Sequence, residues 1–227
     1  MRLLKNHKPK IFCIGLNKTG TTSLGGFLEQ HGFFVERQAI GERLLKSYLE
    51  RDFKTIIKRC KKSSATVFQD IPYSLPYTFI ALDQAFPEAK FILTLRDSPN
   101  QWYESMLTFH SLKFNNGKKP DAEALKNSKY IYKGWAWELM NGVYIKDKPE
   151  TYDKADFIKV YELHRQMVTD YFNNPNKLIT INLAAKPDVN RLCQFLEIEP
   201  KTTVFPRISS EDIASKNYKL NFLGIKK

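Results

Sequence analysis

The sequence predicts a three-layer α/β/α fold built on a mainly parallel central sheet, and three observations predict it. Short apolar runs of strand length recur at residues 11–14, 65–69, 89–95 and 178–183. Segments with apolar residues at three- and four-residue spacing separate them, as crossovers between parallel strands require. The first three runs lead into polar positions, at residues 18–23, Asp70 and Arg96, and parallel strands bring such ends to one edge of the sheet. Of the 227 residues, 42% are hydrophobic, enough for a full core and unlike a disordered chain. Residues 1–227 therefore read as one domain.

The first run, 11–14, reads as a buried strand. It leads into a loop bounded by Gly15 and Gly20, then Thr21, Thr22 and Ser23, then a helix closed by Gly32. Strand, glycine loop and helix together make a phosphate-binding arrangement, because the glycines let backbone approach an anion and the helix start points N–H groups at it. The ATP-type pattern, G-x-x-x-x-G-K-[ST], fits the Gly15 to Gly20 spacing. Thr21 stands where that pattern needs lysine, and the lysine comes earlier, at Lys18. A plain tight turn is the simpler reading, but it does not call for a lysine, two glycines and four hydroxyls together.

Residues 33–35 read as a short strand. Residues 42–62 read as one helix, with Leu45, Tyr48, Leu49, Phe53, Ile56 and Ile57 on its apolar face and Lys54, Lys58, Arg59, Lys61 and Lys62 on a basic one. The strand at 65–69 ends at Asp70, and Ile71 with Pro72 breaks the pattern. A helix over 77–86 leads to the clearest strand, 89–95, which ends at Arg96. Asp97, Ser98, Pro99 and Asn100 form a turn and cap cluster before a helix over 101–110. Residues 111–160 are less regular and read as an insertion, a lid or acceptor-binding segment. Its aromatics, Tyr130, Tyr132, Trp135, Trp137 and Tyr144, suit a core more readily than a substrate platform. A helix over 157–172, the strand at 178–183, a helix over 187–196 opened by Pro187, a loop over 200–210 and a polar tail from residue 211 complete the chain.

The net charge of +12, from 36 Lys and Arg against 24 Asp and Glu, favours anionic partners, although most of these lysines suit a solvated surface. Cys13, Cys60 and Cys193 have no metal-ligand spacing and read as small core residues in a reducing compartment. No secretory signal and no run of membrane-spanning length is visible, so the expectation is a cytoplasmic protein without stable membrane insertion.

The segment from Gly15 through Lys18, Gly20, Thr21 and Thr22 to Leu24 resembles the phosphosulfate-binding loop of sulfotransferases that use 3′-phosphoadenosine 5′-phosphosulfate (PAPS). The stretch Phe91-Ile92-Leu93-Thr94-Leu95-Arg96, with Ser105 in the following helix, is similar to that family's 3′-phosphate clamp. Its Arg-to-Ser separation is one residue longer than the common spacing, so Ser98 stands as an alternative to Ser105. Arg191-Leu192-Cys193-Gln194-Phe195-Leu196 resembles the family's late helix, and Phe205-Pro206-Arg207 the loop after it. The likeness spans about the whole chain apart from 111–160 and is nearest the compact, bacterial-like branch.

The resemblance implies a P-loop NTPase-like sheet and transfer of a sulfuryl group to an acceptor hydroxyl or amine, leaving adenosine 3′,5′-bisphosphate (PAP). It implies that Asn17, Lys18, Thr19, Gly20, Thr21 and Thr22 hold the donor's 5′ end, with Lys18 also catalytic. Arg96 and Ser105 would hold the 3′-phosphate, Arg207 would reach the nucleotide, and no metal is expected. Asp70 reads either as a cap for the next segment or as the general base; Gln69 competes for that position, but only Asp70 can take a proton. His110 and His31 are alternative bases, and His164 reads as packing or surface. The acceptor is open among a glycan, a lipid and a small alcohol or phenol. A nucleotide-dependent kinase is the first rival, but it needs lysine at position 21. A basic nucleic-acid-binding protein is the second, but no such module accompanies the charge.

Overall fold

The computed structural model describes residues 9–208 apart from 147 and 149, so the basic start of the chain and the polar tail from residue 211 lie outside the described residues. Four strands, β1 (Ile11–Cys13), β2 (Val67–Gln69), β3 (Lys90–Leu95) and β4 (Leu178–Asn182), form one sheet in the order β2-β1-β3-β4, with every neighbouring pair parallel. From β1 the chain moves to one side for β2 and then crosses to the other side for β3. The order therefore reverses between β1 and β3, where an open parallel sheet leaves a crevice at its carboxyl ends.

Strand alternation sorts the apolar side chains into two cores. On one face Ile11, Cys13, Val67, Ile92 and Ile179 pack against α1 (Thr21–Gln30) and α10 (Asp188–Leu196). On the other, Phe12, Phe68, Phe91 and Leu93 pack against α4 (Phe53–Lys62), α5 (Thr78–Ala85), α6 (Pro99–Phe114) and α9 (Lys154–Tyr171). Helices on both faces of a parallel sheet make the three layers that the sequence predicts.

The differences from the sequence reading have local causes. Residues 33–35 form no strand; only Val35 bridges to Val67. The helix expected over 42–62 is three: α2 (Gln38–Glu42), α3 (Leu45–Leu49) and α4. Arg51 sits at φ 61°, which no helix accommodates, and the Asp52 side chain caps α4 by accepting from Thr55 N–H at 3.1 Å. Leu45, Tyr48, Ile56 and Cys60 enter one core from both sides of this break, so the apolar spacing conceals it.

The stretch 111–160 is built into the second core. It holds α7 (Ala122–Asn127), α8 (Trp135–Leu139) and a π-helical segment, Met140–Ile145. Leu125, Trp135, Leu139, Met140, Tyr144 and Tyr152 are buried there. Among the described residues no helix is long and apolar enough to cross a membrane.

Candidate active site

The loop between β1 and α1 lies at the reversal of strand order. Gly15 is there because β3 passes against it: a Cβ would stand 2.1 Å from Thr94 Oγ1 and 2.5 Å from the Thr94 carbonyl oxygen. The loop's carbonyls are then tied down one after another. His164 Nε2 donates to the Ile14 carbonyl at 2.7 Å. Thr19 Oγ1 donates to Leu16 at 2.5 Å, Trp102 Nε1 to Asn17 at 2.9 Å, and Arg96 Nε to Lys18 at 2.7 Å. With its own proton committed, Thr19 Oγ1 accepts from Thr94 Oγ1, also at 2.5 Å. Lys18 and Gly20 take left-handed φ values of 70° and 100°. Carbonyls drawn into the protein leave the opposite side of the loop to N–H groups, the geometry of an anion nest.

The loop delivers the chain to the start of α1. Asp or Ser side chains cap α4, α6, α7 and α9; α1, like α2, α3, α5, α8 and α10, has no side-chain cap, and it is the one that follows this loop. A helix N-terminus without a side-chain cap, preceded by such a nest, is built to receive an anion.

Asn17, Lys18, Gly20, Thr21, Thr22, Asp70, Arg96 and Arg207 line one cavity of about 800 Å³. The structure thus brings together most of the residues singled out from the sequence. Thr19 is not among the lining residues, and its hydroxyl braces the loop from beneath. The Asn17 side chain is engaged inward, accepting from the Tyr144 hydroxyl at 3.0 Å and facing Met106 Sδ. Ser98 caps α6, accepting from Gln101 N–H at 3.1 Å, and does not line the cavity. Ser105 follows Gln101 by one turn of α6 and is also outside the lining, whereas Gln101 itself is part of it.

Asp70 closes β2 with φ 61° and is buried. Its Oδ1 accepts from Ile71 N–H at 2.9 Å, and its Oδ2 accepts from Thr21 Oγ1 at 3.3 Å and Gln38 Nε2 at 3.1 Å. Burial raises its proton affinity, while the Ile71 N–H, the charge of Lys18 and the Thr21 hydroxyl oppose the rise. Lys18 Nζ lies 3.9 Å from the centroid of the Phe109 ring, which also lines the cavity.

Of the alternative bases, His31 lies outside the lining, and both its ring nitrogens are used. Nε2 accepts from Lys201 N–H at 3.0 Å, so Nδ1 donates to the Phe27 carbonyl at 2.8 Å. His110 does line the cavity, with Nδ1 2.8 Å from the Tyr152 hydroxyl.

A family model described as a sulfotransferase domain matches residues 10–213. The chain belongs to the sulfotransferase family. It is an enzyme of sulfuryl transfer, on an α/β fold similar to that of a solved sulfotransferase from Alicyclobacillus acidocaldarius. That structure has a TM-score of 0.53 at 16% identity, over 95% of this chain and 88% of that one. No curated protein matches the chain.

Residues of the sulfotransferase that sequence reasoning passed over fall into two groups. Trp102 and His164 act on the loop by donating to its carbonyls from 85 and 150 residues away, and no local signal marks such a contact. Gln38 and Glu42 line the cavity beside Asp70; Gln38 lies before the helix expected over 42–62, and Glu42 ends α2 where that helix was expected to begin.

Burial also gives the enzyme a dependence on pH. Desolvation, reinforced by the Lys18 charge, lowers His110 to about 3, and desolvation lowers His164 to about 4 against its bond to Ile14. An unfolded histidine takes its proton near pH 6.5, so below that value the unfolded state binds protons that the folded one refuses. The histidine contribution is therefore full above about pH 6.5 and falls as pH drops towards the two folded values, by up to about 1.4 kcal/mol per pH unit for each histidine. Burial raises Glu42 and Asp70, which gain stability over the same range, so the loss is read against a His110→Asn variant: the change in urea midpoint from pH 7 to pH 5 should be less favourable in the wild type than in the variant, and equal changes would contradict it.

Proposed function

We propose that this sulfotransferase uses PAPS as donor and transfers its sulfuryl group in line to a hydroxyl of the acceptor. The observation that carries this reading is the tethered loop, whose carbonyls are drawn inward ahead of the start of α1. A cavity of about 800 Å³ with Lys18, Arg96, Lys186 and Arg207 on its lining suits a nucleotide with phosphates at two places. PAPS, when bound, supplies an activated sulfuryl group on its 5′-phosphate.

The backbone at Thr19, Gly20, Thr21 and Thr22 would hold the 5′-phosphate. Lys18 would neutralise the charge that develops on the bridging oxygen as the bond to sulfur breaks. Arg96 would take the 3′-phosphate, with Ser105 on the neighbouring turn of α6, and Arg207 would close on the nucleotide from above α1. Phe205 packs on Phe27 of α1 at 5.0 Å between ring centroids, and Ile208 N–H donates to Ser23 Oγ at 3.3 Å, which holds Arg207 over that helix start. Asp70 would accept the hydroxyl's proton. The work is positioning and electrostatics, done by groups already in place.

Titration with PAP, with and without Mg²⁺ and with ATP as competitor, tests the donor. Tight binding that ignores Mg²⁺ and resists ATP is the expected result. Binding that requires Mg²⁺ and favours ATP would overturn it in favour of a kinase.

A further inference from the structure

Two buried carboxyls share the cavity, and the mechanism above uses only one. Glu42 ends α2 and Asp70 follows β2. The Gln38 amide joins them, its Nε2 donating to Glu42 Oε1 at 3.0 Å and to Asp70 Oδ2 at 3.1 Å. Glu42 Oε1 also accepts from the Tyr130 hydroxyl at 3.1 Å, and the Glu42 carbonyl accepts from Trp135 Nε1 at 2.9 Å. All five side chains, those of Gln38, Glu42, Asp70, Tyr130 and Trp135, belong to residues of the cavity lining.

Helix α2 lies this close to Asp70 because residue 41 is glycine. A Cβ there would stand 2.8 Å from the Ile71 carbonyl oxygen and 3.0 Å from the Tyr73 ring. The two carboxyls are joined to each other through one neutral amide, while a lysine acts on each by its charge, Lys18 on Asp70 and Lys113 on Glu42. The charged and titratable groups facing them are Lys18 from the loop, Lys113 from α6, and the hydroxyls of Tyr130 and Tyr144; His110 stands on the same wall. Burial, and after it the charge of Asp70, raises Glu42 to about 8. Two carboxyls this near do not ionise independently, and their titration belongs to the pair.

We propose that Glu42 and Asp70 form one proton-holding dyad bridged by Gln38, in which the charge of Asp70 keeps Glu42 protonated and the neutral Glu42, a positioning residue, leaves Asp70 the ionised member that can take a proton. This deepens the sulfuryl-transfer reading and rests on it. At neutral pH the dyad carries one proton. Glu42 Oε1 is occupied as an acceptor twice, so the proton sits on Glu42 Oε2 and Asp70 is the ionised member. As the acceptor oxygen bonds to sulfur, the bond from sulfur to the 5′-phosphate oxygen breaks and that oxygen keeps the electron pair. The acceptor's proton passes to Asp70. The dyad then holds two protons and releases one to water before the next turnover.

The test is a carbon-13 NMR titration of the Asp and Glu side-chain carboxyls, from about pH 4 to about pH 9, in the whole protein and its Glu42→Gln and Asp70→Asn variants. In Asp70→Asn, Glu42 should titrate lower by at least about one pH unit, roughly tenfold in proton affinity, because the charge that opposes its ionisation is gone. In Glu42→Gln, the upper titration should vanish and Asp70 should titrate where it does in the wild type, because its neighbour is neutral in both proteins. An unmoved Glu42 in a folded Asp70→Asn protein overturns the dyad. If that variant does not fold, an upper titration that persists in Glu42→Gln overturns it from the other side. PAP binding measured on the wild-type sample keeps the two readings apart: its failure removes the donor assignment and leaves the dyad standing.

Discussion

Replacing Lys18 by alanine is expected to lower the rate of transfer from PAPS by roughly 10²–10³, the usual cost of removing one donor aimed at charge in the transition state. The fold should survive, because what the loop needs from residue 18 is its backbone. The Lys18 carbonyl, held by Arg96 Nε at 2.7 Å, is still there in the variant, and alanine replaces one non-glycine residue at φ 70° with another. The side chain lies over Phe109 at the cavity wall and is buried in neither core. Far-ultraviolet circular dichroism and the urea midpoint should therefore match the wild type while turnover collapses. The rate is read as label passing from PAPS to an acceptor returned by a screen of alcohols, phenols and amines. Near-normal turnover in Lys18→Ala would sink the assignment of the loop.

Asp70→Asn should lower kcat by roughly 10²–10⁴, the range general-base catalysis supplies, with PAP affinity changed only a few-fold. Asparagine keeps the size of the side chain and an oxygen for the Ile71 N–H, which Asp70 Oδ1 accepts at 2.9 Å. It cannot take a proton. A rate loss that appears in kcat, with donor binding intact, is therefore the signature of the base. Full turnover in this variant would pass that role to His110, whose burial keeps it neutral at working pH and whose ring faces the same cavity.

Much of the fold was legible because it depends on short-range pattern. The runs that became β1 to β4 are apolar, bounded and of strand length, and Arg96 and Asp70 mark strand ends in plain view. Lys18, ahead of Gly20 instead of after it, pointed to a donor other than ATP. What stayed hidden depends on contacts distant in sequence or on backbone turns that leave the apolar pattern undisturbed. The positive φ of Arg51 divides a helix whose hydrophobic spacing reads as continuous. Gln38 was not assigned to any element, and Glu42 was read as the first residue of a long helix when it is the last of a short one. The serine expected beside Arg96 shows a third limit. The resemblance chose Ser105 by its distance from Arg96 along the chain, whereas on α6 the cavity wall is made by Gln101 and Phe109, one turn to either side of it.

The bond from Arg96 Nε to the Lys18 carbonyl has a further meaning if the two groups serve opposite ends of one nucleotide. Arg96 continues β3 and the loop continues β1, and these strands are hydrogen-bonded neighbours in register. The side-chain tether closes the triangle between strand, loop and guanidinium, so the separation of the two anion sites is a fixed length. The site then works as a gauge. On the proposed reading it would recognise its donor by the span between a 3′- and a 5′-phosphate, and a nucleotide carrying all its phosphates in one chain would satisfy one end and leave the other empty.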